Sequence, residues 1–256
     1  MKLGIIKLSV LTISMLLLAF QPAEKKPMKI YLVGDSTMSV KDTRKYPETG
    51  WGMPFAHFFD DKVTVENHAK NGRSTKSFME EGLWQPVVNK LQEGDWVFIQ
   101  FGHNDESPKK VGRYTTPQEY KANLSRYIEE SRNKGAKPVL LTPVARRSFD
   151  ANGKIQGTHD EYSELARAVA REQQVPLIDM DKKSQQLLQE FGPEQSKLLF
   201  LQLEPGEHPN YPNGVEDNTH FSELGARLIA QMVLADVKAQ SLGLAERIYK
   251  PEVKQP

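Results

Sequence analysis

A serine, a histidine and an aspartate in this chain are the side-chain types that nucleophilic catalysis through a hydroxyl requires. Ser36 follows the apolar run Met28–Val33, which has the length of a buried strand, and Gly34 permits a tight turn after it. Because a serine hydroxyl alone is a weak nucleophile, it needs a base, an orienting acid and donors for an oxyanion. The alternative is that Asp35-Ser36-Thr37 is only a polar turn that caps a helix, since such turns are common.

His220 and Asp217 are the candidates for the base and the acid. Asp217 lies three residues before His220, close enough for its carboxylate to hold one ring nitrogen while the other faces Ser36. In such a relay the carboxylate fixes the tautomer and orientation of the imidazole, which takes the hydroxyl proton. The alternative is that both residues cap the last helix, because aspartate is favourable at a helix start.

The negative oxygen of a tetrahedral intermediate needs hydrogen-bond donors, and three groups are suitable in kind. They are the backbone N–H of Ser36, the backbone N–H of Gly72 and the side-chain amide of Asn104. Gly72 has no side chain, so its backbone can approach an oxyanion closely. The alternatives are that Gly72 is only a turn glycine and that Asn104 is only a turn residue after a strand.

A parallel sheet would bring these residues together. Predicted strands and helices alternate at intervals of about 35 residues, and no linker divides the chain. The predicted strands are 28–33, 63–69, 95–101, 137–142 and 175–179. This alternation predicts a three-layer α/β/α sandwich with a mainly parallel five-stranded sheet. Ser36, Gly72 and Asn104 then follow strand ends at one edge of the sheet, and His220 lies at the mouth of the last helix.

The predicted helices are marked by end signals and apolar patterns. Capping boxes at Thr116–Glu119 and Thr158–Glu161 begin two of them, and Gly135 ends the first. The aromatic segment 50–59 predicts a short helix whose aromatic side chains belong to the core. The other predicted helices are 75–81, 83–92, 181–191 and 221–241, and a Pro- and Gly-containing loop, 203–216, precedes the last of them.

Composition excludes several classes of function. The 256 residues are 38% hydrophobic and 26% charged, as expected for one globular domain with a sizeable core. The formal charge of +1 gives no indication of a nucleic-acid partner. There are no cysteines, which excludes disulfides, thiolate nucleophiles and zinc–cysteine sites.

The N-terminal segment has the pattern of a secretory signal. Lys2 and Lys7 precede an apolar run of about 13 residues, whereas a membrane span needs roughly 20. We therefore expect a signal peptide at 1–23, a domain at 24–244 and a tail at 245–256. An exported protein without cysteines fits a bacterial periplasmic or secreted protein, with no membrane attachment after signal removal.

Four segments resemble the conserved blocks of the SGNH (GDSL-type) hydrolase superfamily. They are Gly34-Asp35-Ser36, Gly72, Gly102-His103-Asn104-Asp105 and Asp217-Asn218-Thr219-His220. The resemblance spans about residues 28–240. Four stretches resemble the rhamnogalacturonan acetylesterase branch more than the lipase-like branches: Gly34-Asp35-Ser36-Thr37, Gly50-Trp51-Gly52, Asn71-Gly72-Arg73-Ser74 and His103-Asn104-Asp105.

The resemblance implies a flavodoxin-like fold and a serine esterase. Ser36 would be the nucleophile, His220 the base and Asp217 the orienting acid. Ser36, Gly72 and Asn104 would donate to the oxyanion. The implied reaction removes O-acetyl groups from a plant cell-wall polysaccharide, most simply rhamnogalacturonan, through an acetyl-enzyme, with no cofactor and no metal.

Other functions are compatible with the same residues. Within the superfamily, the chain could be an acetylxylan esterase or a lipase or thioesterase. From other classes, it could be a non-catalytic carbohydrate-binding protein or a metal-dependent phosphoesterase. His103 and Asp105 could form a metal site with His208 or His220. Structural roles for His103 and Asp105 are the simpler interpretation.

Two basic loops follow strand ends on the side of the sheet that carries Ser36. They contain Lys109, Lys110, Arg113, Arg146 and Arg147. We predict that some of these residues contact uronate carboxylates of an acetylated polysaccharide, since arginine binds carboxylates through paired hydrogen bonds. The alternative is a solvated basic surface that aids solubility. We expect the protein to act as a monomer.

Overall fold

Five parallel strands form the central sheet in the computed structural model, which describes residues 26–250. The strands are β1 (Met28–Gly34), β2 (Val63–Asn67), β3 (Trp96–Gln100), β4 (Lys137–Leu141) and β5 (Leu177–Ile178). Their order in the sheet is β2-β1-β3-β4-β5. This order reverses direction between β1 and β3, where open α/β sheets form a ligand-binding crevice at the strands' carboxyl ends. The predicted fold class is confirmed.

Helices connect the strands and cover both faces of the sheet. They are α1 (Gly52–Phe55), α2 (Thr75–Glu80), α3 (Gln85–Lys90), α4 (Pro117–Asn133), α5 (Asp160–Glu172), α6 (Met180–Gln195) and α7 (Glu223–Ala239). Gly192, with φ 70° and ψ 178°, divides α6 into two helical pieces. Short 3₁₀ helices occur at Thr43–Lys45, Ser196–Leu199 and Ala245–Arg247.

The apolar core is divided by the sheet into two layers, because successive strand residues point to opposite faces. On β1, Ile30 and Leu32 pack with α1, α6 and α7, whereas Tyr31 and Val33 pack with α2 to α5. All four side chains are buried. A strand buried on both faces is a continuous apolar run, which is why β1 and β3 are evident in the sequence.

The segment predicted as a helix at 50–59 is helical only at Gly52–Phe55. Its first amides bond to the turn after β1 instead of to a helix: Trp51 N–H donates to the Thr37 carbonyl and Gly52 N–H to the Met38 carbonyl. The predicted core position of its aromatic side chains is correct, since Trp51 and Phe55 are fully buried.

The structure corrects the prediction for the segment before the last helix. Two strands, β6 (Phe200–Leu203) and β7 (Val215–Phe221), pair antiparallel, and residues 204–214 connect them. Asp217 and His220 therefore lie in a strand that the sequence did not predict, and His220 stands two residues before Ser222, the N-cap residue of α7. Sequence pattern did not reveal β7, because most of its residues are polar and partly exposed.

One of the two predicted capping boxes is present. Thr116 and Glu119 cap α4 reciprocally. Thr158 was expected to cap α5, but its hydroxyl oxygen accepts the N–H of Arg146 instead (3.0 Å). The N-cap residue of α5 is His159, whose side chain makes no capping hydrogen bond.

The predicted signal peptide and the predicted C-terminal tail lie at the two ends of the chain. The segment 1–23, interpreted as a signal peptide, lies outside the described residues. Residues beyond 244, where we expected a tail, pack against the domain as far as Ile248. Arg247 is buried, with its Nε 3.0 Å from Asp60 Oδ2. Ile248 forms a β-bridge with Phe59.

Candidate active site

The turn that carries Ser36, residues 34–38, is here called the serine turn. A Cβ at Gly34 would lie 2.5 Å from the Gln100 carbonyl oxygen, so only glycine lets β1 end this close to β3. Asp35 Oδ1 accepts hydrogen bonds from the Thr37 N–H (2.9 Å) and the Thr37 hydroxyl (2.8 Å). These bonds hold the turn in a shape that presents Ser36 to the cleft above the sheet.

Ser36, His220 and Asp217 form a continuous hydrogen-bonded chain. Ser36 Oγ is 3.0 Å from His220 Nε2, and His220 Nδ1 is 2.7 Å from Asp217 Oδ2. A carboxylate at Nδ1 favours the tautomer in which Nε2 is free to accept the serine proton. The predicted relay therefore exists as a geometric arrangement.

Asp217 is held as a carboxylate by the hydrogen bonds around it. Its Oδ1 accepts the backbone N–H groups of Thr219 (2.7 Å) and His220 (2.9 Å). Partial burial alone would raise the pKa of Asp217, but the bonds and charge of His220 and these two amides lower it to about 2. Asp217 is therefore ionised at neutral pH, as an orienting acid must be.

The predicted oxyanion donors belong to three residues that line one cleft: Ser36, Gly72 and Asn104. Within residues 26–250, the N–H groups of Ser36 and Gly72 donate to no acceptor. Gly72 lies in a second turn, residues 70–73, here called the glycine turn, with a φ of +74° that disfavours other residues. Two amide donors are thus available to a ligand oxygen.

The amide of Asn104 is oriented by its neighbours. Its Nδ2 donates to the Arg73 carbonyl (3.1 Å), and its Oδ1 accepts from Lys110 Nζ (3.0 Å). Because an amide nitrogen carries two protons, one N–H of Asn104 is left for a ligand. Asn104 and Gly72 both line the cleft that contains Ser36.

The cleft is open, has a volume of about 480 Å³ and is lined mainly by polar and charged side chains. Three of the five predicted basic residues line it: Lys110, Arg113 and Arg146. Burial lowers the pKa of Lys110, and the charge of Arg146 acts in the same direction. Arg146 is itself paired with Glu106 (2.9 Å).

The other two predicted basic residues do not line the cleft. Lys109 is exposed beside it. Arg147 points to the far side of β7, where Nε donates to the Ser196 hydroxyl and Nη1 to Asn218 Oδ1, both at 3.0 Å. Its guanidinium also lies over the ring of Phe149. Arg147 therefore holds its loop to β7 and to the segment before β6, outside the cleft that contains Ser36.

Several cleft residues were not anticipated from the sequence. The lining of the cleft also includes Lys45, Glu48 and Asn71. Only Asn71 had a sequence signal, since it directly precedes Gly72. Lys45 and Glu48 belong to a polar segment with no periodic pattern, so their position depends on how the loop folds.

His103 and Asp105 have structural contacts that explain their burial. His103 Nδ1 is 3.3 Å from Asp35 Oδ2, beneath the serine turn. Asp105 Oδ1 accepts from the Thr75 N–H (2.9 Å) and the Thr115 hydroxyl (3.1 Å), which fixes the start of α2. In the part of the chain that the structure describes, no three His, Cys, Asp or Glu residues are grouped so as to hold a metal ion.

Comparison with known proteins identifies relatives over most of the chain. A rhamnogalacturonan acetylesterase of Bacillus subtilis, RhgT, is 44% identical over 231 residues, covering 90% of this chain and 98% of RhgT. A rhamnogalacturonan acetylesterase of Emericella nidulans is 27% identical, covering 87% of this chain and 90% of the relative. The crystal structure of YxiM from Bacillus subtilis superposes with a TM-score of 0.72 at 26% identity. That match covers 87% of this chain but only 58% of YxiM.

The family resemblance predicted from the four sequence blocks is confirmed by these matches. The model of the GDSL-like lipase/acylhydrolase family matches residues 32–228, which contain all four blocks. With well over half of the chain matched in this way, and RhgT matched over nearly its whole length, the chain belongs to the GDSL-like lipase/acylhydrolase family.

Proposed function

We propose that this protein is a serine esterase that removes O-acetyl groups from a plant cell-wall polysaccharide, rhamnogalacturonan in the first instance. The observation that carries the proposal is the hydrogen-bonded chain from Ser36 through His220 to Asp217. The Ser36 end of this chain lies in the same cleft as two unpaired backbone N–H groups, those of Ser36 and Gly72. The high identity to RhgT, a rhamnogalacturonan acetylesterase, over nearly its whole length supports the choice of substrate.

The reaction proceeds in two halves. Ser36 Oγ attacks the acetyl carbonyl carbon while its proton passes to His220 Nε2, and the sugar hydroxyl leaves with that proton. The product is an acetyl-enzyme, which a water molecule deprotonated by His220 then hydrolyses to acetate. In both halves the carbonyl oxygen becomes negative, and the N–H groups of Ser36, Gly72 and Asn104 stabilise it; one such donor is typically worth about 2.7–4 kcal/mol.

The shape of the cleft suits a polymer with small ester groups. It is open to solvent and polar, and its lining contains no long apolar channel that would hold an acyl chain. An acetyl group on a sugar ring can reach Ser36 while the polymer continues on either side. These features favour a polysaccharide acetylesterase over a lipase.

We further propose that cleft cations bind the uronate carboxylates of the polymer. Lys110 is engaged with the His103 carbonyl and Asn104, and Arg146 is paired with Glu106. Arg113 is exposed at the cleft. Lys45 is also exposed in the cleft lining, but it was not among the predicted contacts; of the predicted cations, Arg113 is therefore the one best placed to meet a substrate carboxylate.

The function is tested by acetate release from acetylated rhamnogalacturonan, acetylated xylan and a neutral aryl acetate, with Ser36→Ala as the control. We expect Ser36-dependent hydrolysis of the aryl acetate and the highest kcat/KM on rhamnogalacturonan. A preference for xylan would identify an acetylxylan esterase with the same chemistry. No Ser36-dependent release from any of the three would disprove the proposal.

We also propose that the protein is exported, with the signal at 1–23 followed by one hydrolase domain. Support comes from Lys2, Lys7 and the short apolar run after them. Within residues 26–250, no helix is long and apolar enough to cross a membrane. N-terminal sequencing of the protein recovered from the cell exterior is the test, and an intact Met1 there would contradict it.

A further inference from the structure

Lys41 is a buried lysine beside Ser36 that the proposed reaction does not use. Its side chain has no exposed surface. Nζ lies 2.5 Å from the Ser36 carbonyl oxygen, 3.0 Å from Asn71 Oδ1 and 2.7 Å from Glu48 Oε1. Three oxygens thus surround a group that carries three protons. Since burying an ammonium is costly unless its charge and protons are matched, this set of partners fixes where Nζ lies.

Two of the three partners belong to the turns that carry backbone oxyanion donors. Ser36 lies in the serine turn, and Asn71 directly precedes Gly72 in the glycine turn. A second group bridges the same pair, since the Ser39 hydroxyl is 2.5 Å from Asn71 Oδ1 and 3.3 Å from the Ser36 carbonyl oxygen. The two turns follow neighbouring strands, β1 and β2, and share one backbone hydrogen bond, from the Lys70 N–H to the Gly34 carbonyl (2.9 Å). The side-chain contacts of Lys41 and Ser39 add to this bond at Ser36 and Asn71, next to the two donors.

Lys41 has no route to a direct contact with substrate. The Lys41 side chain is enclosed and does not line the cleft, whereas its partner Glu48 does. Burial lowers the pKa of Lys41, opposed by the charges of Glu48, Asp35 and Asp217. Any effect of Lys41 on the reaction must therefore pass through the groups that it holds.

We propose that Lys41 is a positioning residue for the esterase reaction: its ammonium group ties the serine turn to the glycine turn and so sets the spacing of two oxyanion donors. The inference rests on the proposed function, because it concerns the oxyanion of that reaction. A misplacement of about 1 Å in a catalytic group can cost about 10²-fold in rate, so a loose connection here would reduce kcat. Because Lys41 does not line the cleft, its loss should change KM little.

The test variant must avoid a second defect. Lys41→Met alone leaves Glu48 as a buried carboxylate without its partner, which is strongly destabilising in general. The comparison is therefore between Lys41→Met/Glu48→Gln and Glu48→Gln, which differ only at Lys41. In Glu48→Gln the ammonium loses its charge partner, but the glutamine oxygen can still accept from Nζ, so Lys41 keeps three acceptors; any loss of folded protein in either variant is removed by counting active sites. The substrate is a neutral aryl acetate, and rates are divided by the concentration of active sites titrated with a serine-directed phosphonate. Lys29→Met, at the opposite end of β1, serves as a control for the loss of a lysine.

We expect kcat per active site to be about 10- to 100-fold lower in the double variant than in Glu48→Gln, with KM changed less than about threefold. A residue that only stabilised the fold would lower the melting temperature and the number of titratable sites, but not kcat per site. Equal kcat per site in the two variants would overturn the inference.

Asn71→Ala gives an independent test if the double variant does not fold. It removes the acceptor on the glycine turn that Lys41 and Ser39 share, while Lys41 keeps its contacts with Ser36 and Glu48. We expect a loss of kcat per site in the same direction, again with little change in KM. A normal kcat in Asn71→Ala would overturn the inference. Absence of Ser36-dependent hydrolysis in the wild type would overturn the proposed function as well, so the two failures are distinguishable.

Discussion

Asp217 and His220 lie three positions apart in strand β7, yet Asp217 Oδ2 is 2.7 Å from His220 Nδ1. In a regular strand, residues three apart point to opposite faces. The pairing with β6 shows how they meet: Phe221 pairs with Phe200 and Glu216 with Gln202, so residues 217–220 lie opposite Leu201 alone. This irregularity is a β-bulge, a device that redirects side chains near active sites. It turns the carboxylate back onto the imidazole.

Asp217→Asn should reduce kcat strongly without unfolding the domain. The amide keeps an oxygen for the N–H groups of Thr219 and His220, so the bulge is retained. It cannot stabilise a protonated imidazole and favours the wrong tautomer, and the same change in a chymotrypsin-type triad costs about 10⁴-fold in kcat. Steady-state kinetics on an aryl acetate, with circular dichroism melting as the control, measures this. A loss of less than about tenfold would contradict an orienting role.

Ser36→Ala and His220→Ala should each remove nearly all esterase activity. Because members of a triad act as a unit, the double variant should lose about as much as either single variant. The residual hydrolysis rate of the two single variants and of the double variant should be compared with the rate in buffer without enzyme. If Ser36→Ala kept substantial turnover with a normal melting temperature, Ser36 would not be the nucleophile.

Sequence patterns predicted the parts of this molecule that depend on local periodicity. The strands β1 and β3 are buried on both faces, so their apolar runs are visible, and the residues that follow them can be placed at one sheet edge. Strand β7 has no such pattern, since its existence depends on pairing with β6 and on the bulge at 217–220. The spacing of Asp217 and His220 was therefore interpreted correctly for its chemistry but assigned to the wrong element.

The burial of Lys41 could not be predicted from the sequence either. It stands near Arg44 and Lys45 in a polar segment, and the sequence gives no reason to separate one of these cations from the others. In the structure Lys41 is enclosed, whereas Arg44 and Lys45 are exposed. A contact with Glu48 in the same segment and a long-range contact with Asn71 make the difference. Arg147, an ordinary loop arginine by sequence, likewise owes its position outside the cleft to contacts with distant residues.

Stability should fall as pH rises through the range in which Asp105 ionises. Burial, assisted by the charge of Asp35, raises the pKa of Asp105 to about 7, although hydrogen bonds from Thr75 and Thr115 oppose the shift. The folded state therefore holds a proton that the unfolded state releases near pH 4, and each pKa unit corresponds to about 1.4 kcal/mol. The contribution of Asp105 to unfolding free energy decreases from about pH 4 to about pH 7.

Asp105→Asn isolates this contribution, because the amide oxygen can still accept from Thr75 and Thr115 while no charge forms. Urea unfolding of both proteins between pH 4 and pH 8 gives the comparison. We expect the wild type to lose stability relative to Asp105→Asn as pH rises, and the difference to level off above about pH 7. A constant difference across this range would mean that Asp105 does not titrate there.

The last prediction concerns the charge of the substrate. Arg113 and Lys109 lie four residues apart in one loop and are both exposed, but only Arg113 lines the cleft. Arg113→Glu and Lys109→Glu thus make the same change of charge at two positions, one facing a bound polymer and one not. Exposed ion pairs contribute only about 0.2–1 kcal/mol, so charge reversal is preferred to neutralisation. On acetylated rhamnogalacturonan, Arg113→Glu should raise KM several-fold, and the effect should shrink as salt is added, since salt screens exposed charges.

Two comparisons make this result specific. Lys109→Glu should have the smaller effect on KM for the polymer, because its charge lies outside the cleft. Hydrolysis of a neutral aryl acetate should be unchanged in Lys109→Glu, and Arg113→Glu should keep its KM there, because a neutral substrate offers no carboxylate to repel. Equal effects of the two variants on the polymer would indicate general charge attraction without a defined contact. A Cβ built at Gly72 would lie 3.0 Å from Arg113 Nη1, so the two residues are neighbours. An equal rise in KM on the polymer and on the aryl acetate would mean that Arg113 shapes the glycine turn and does not bind a uronate.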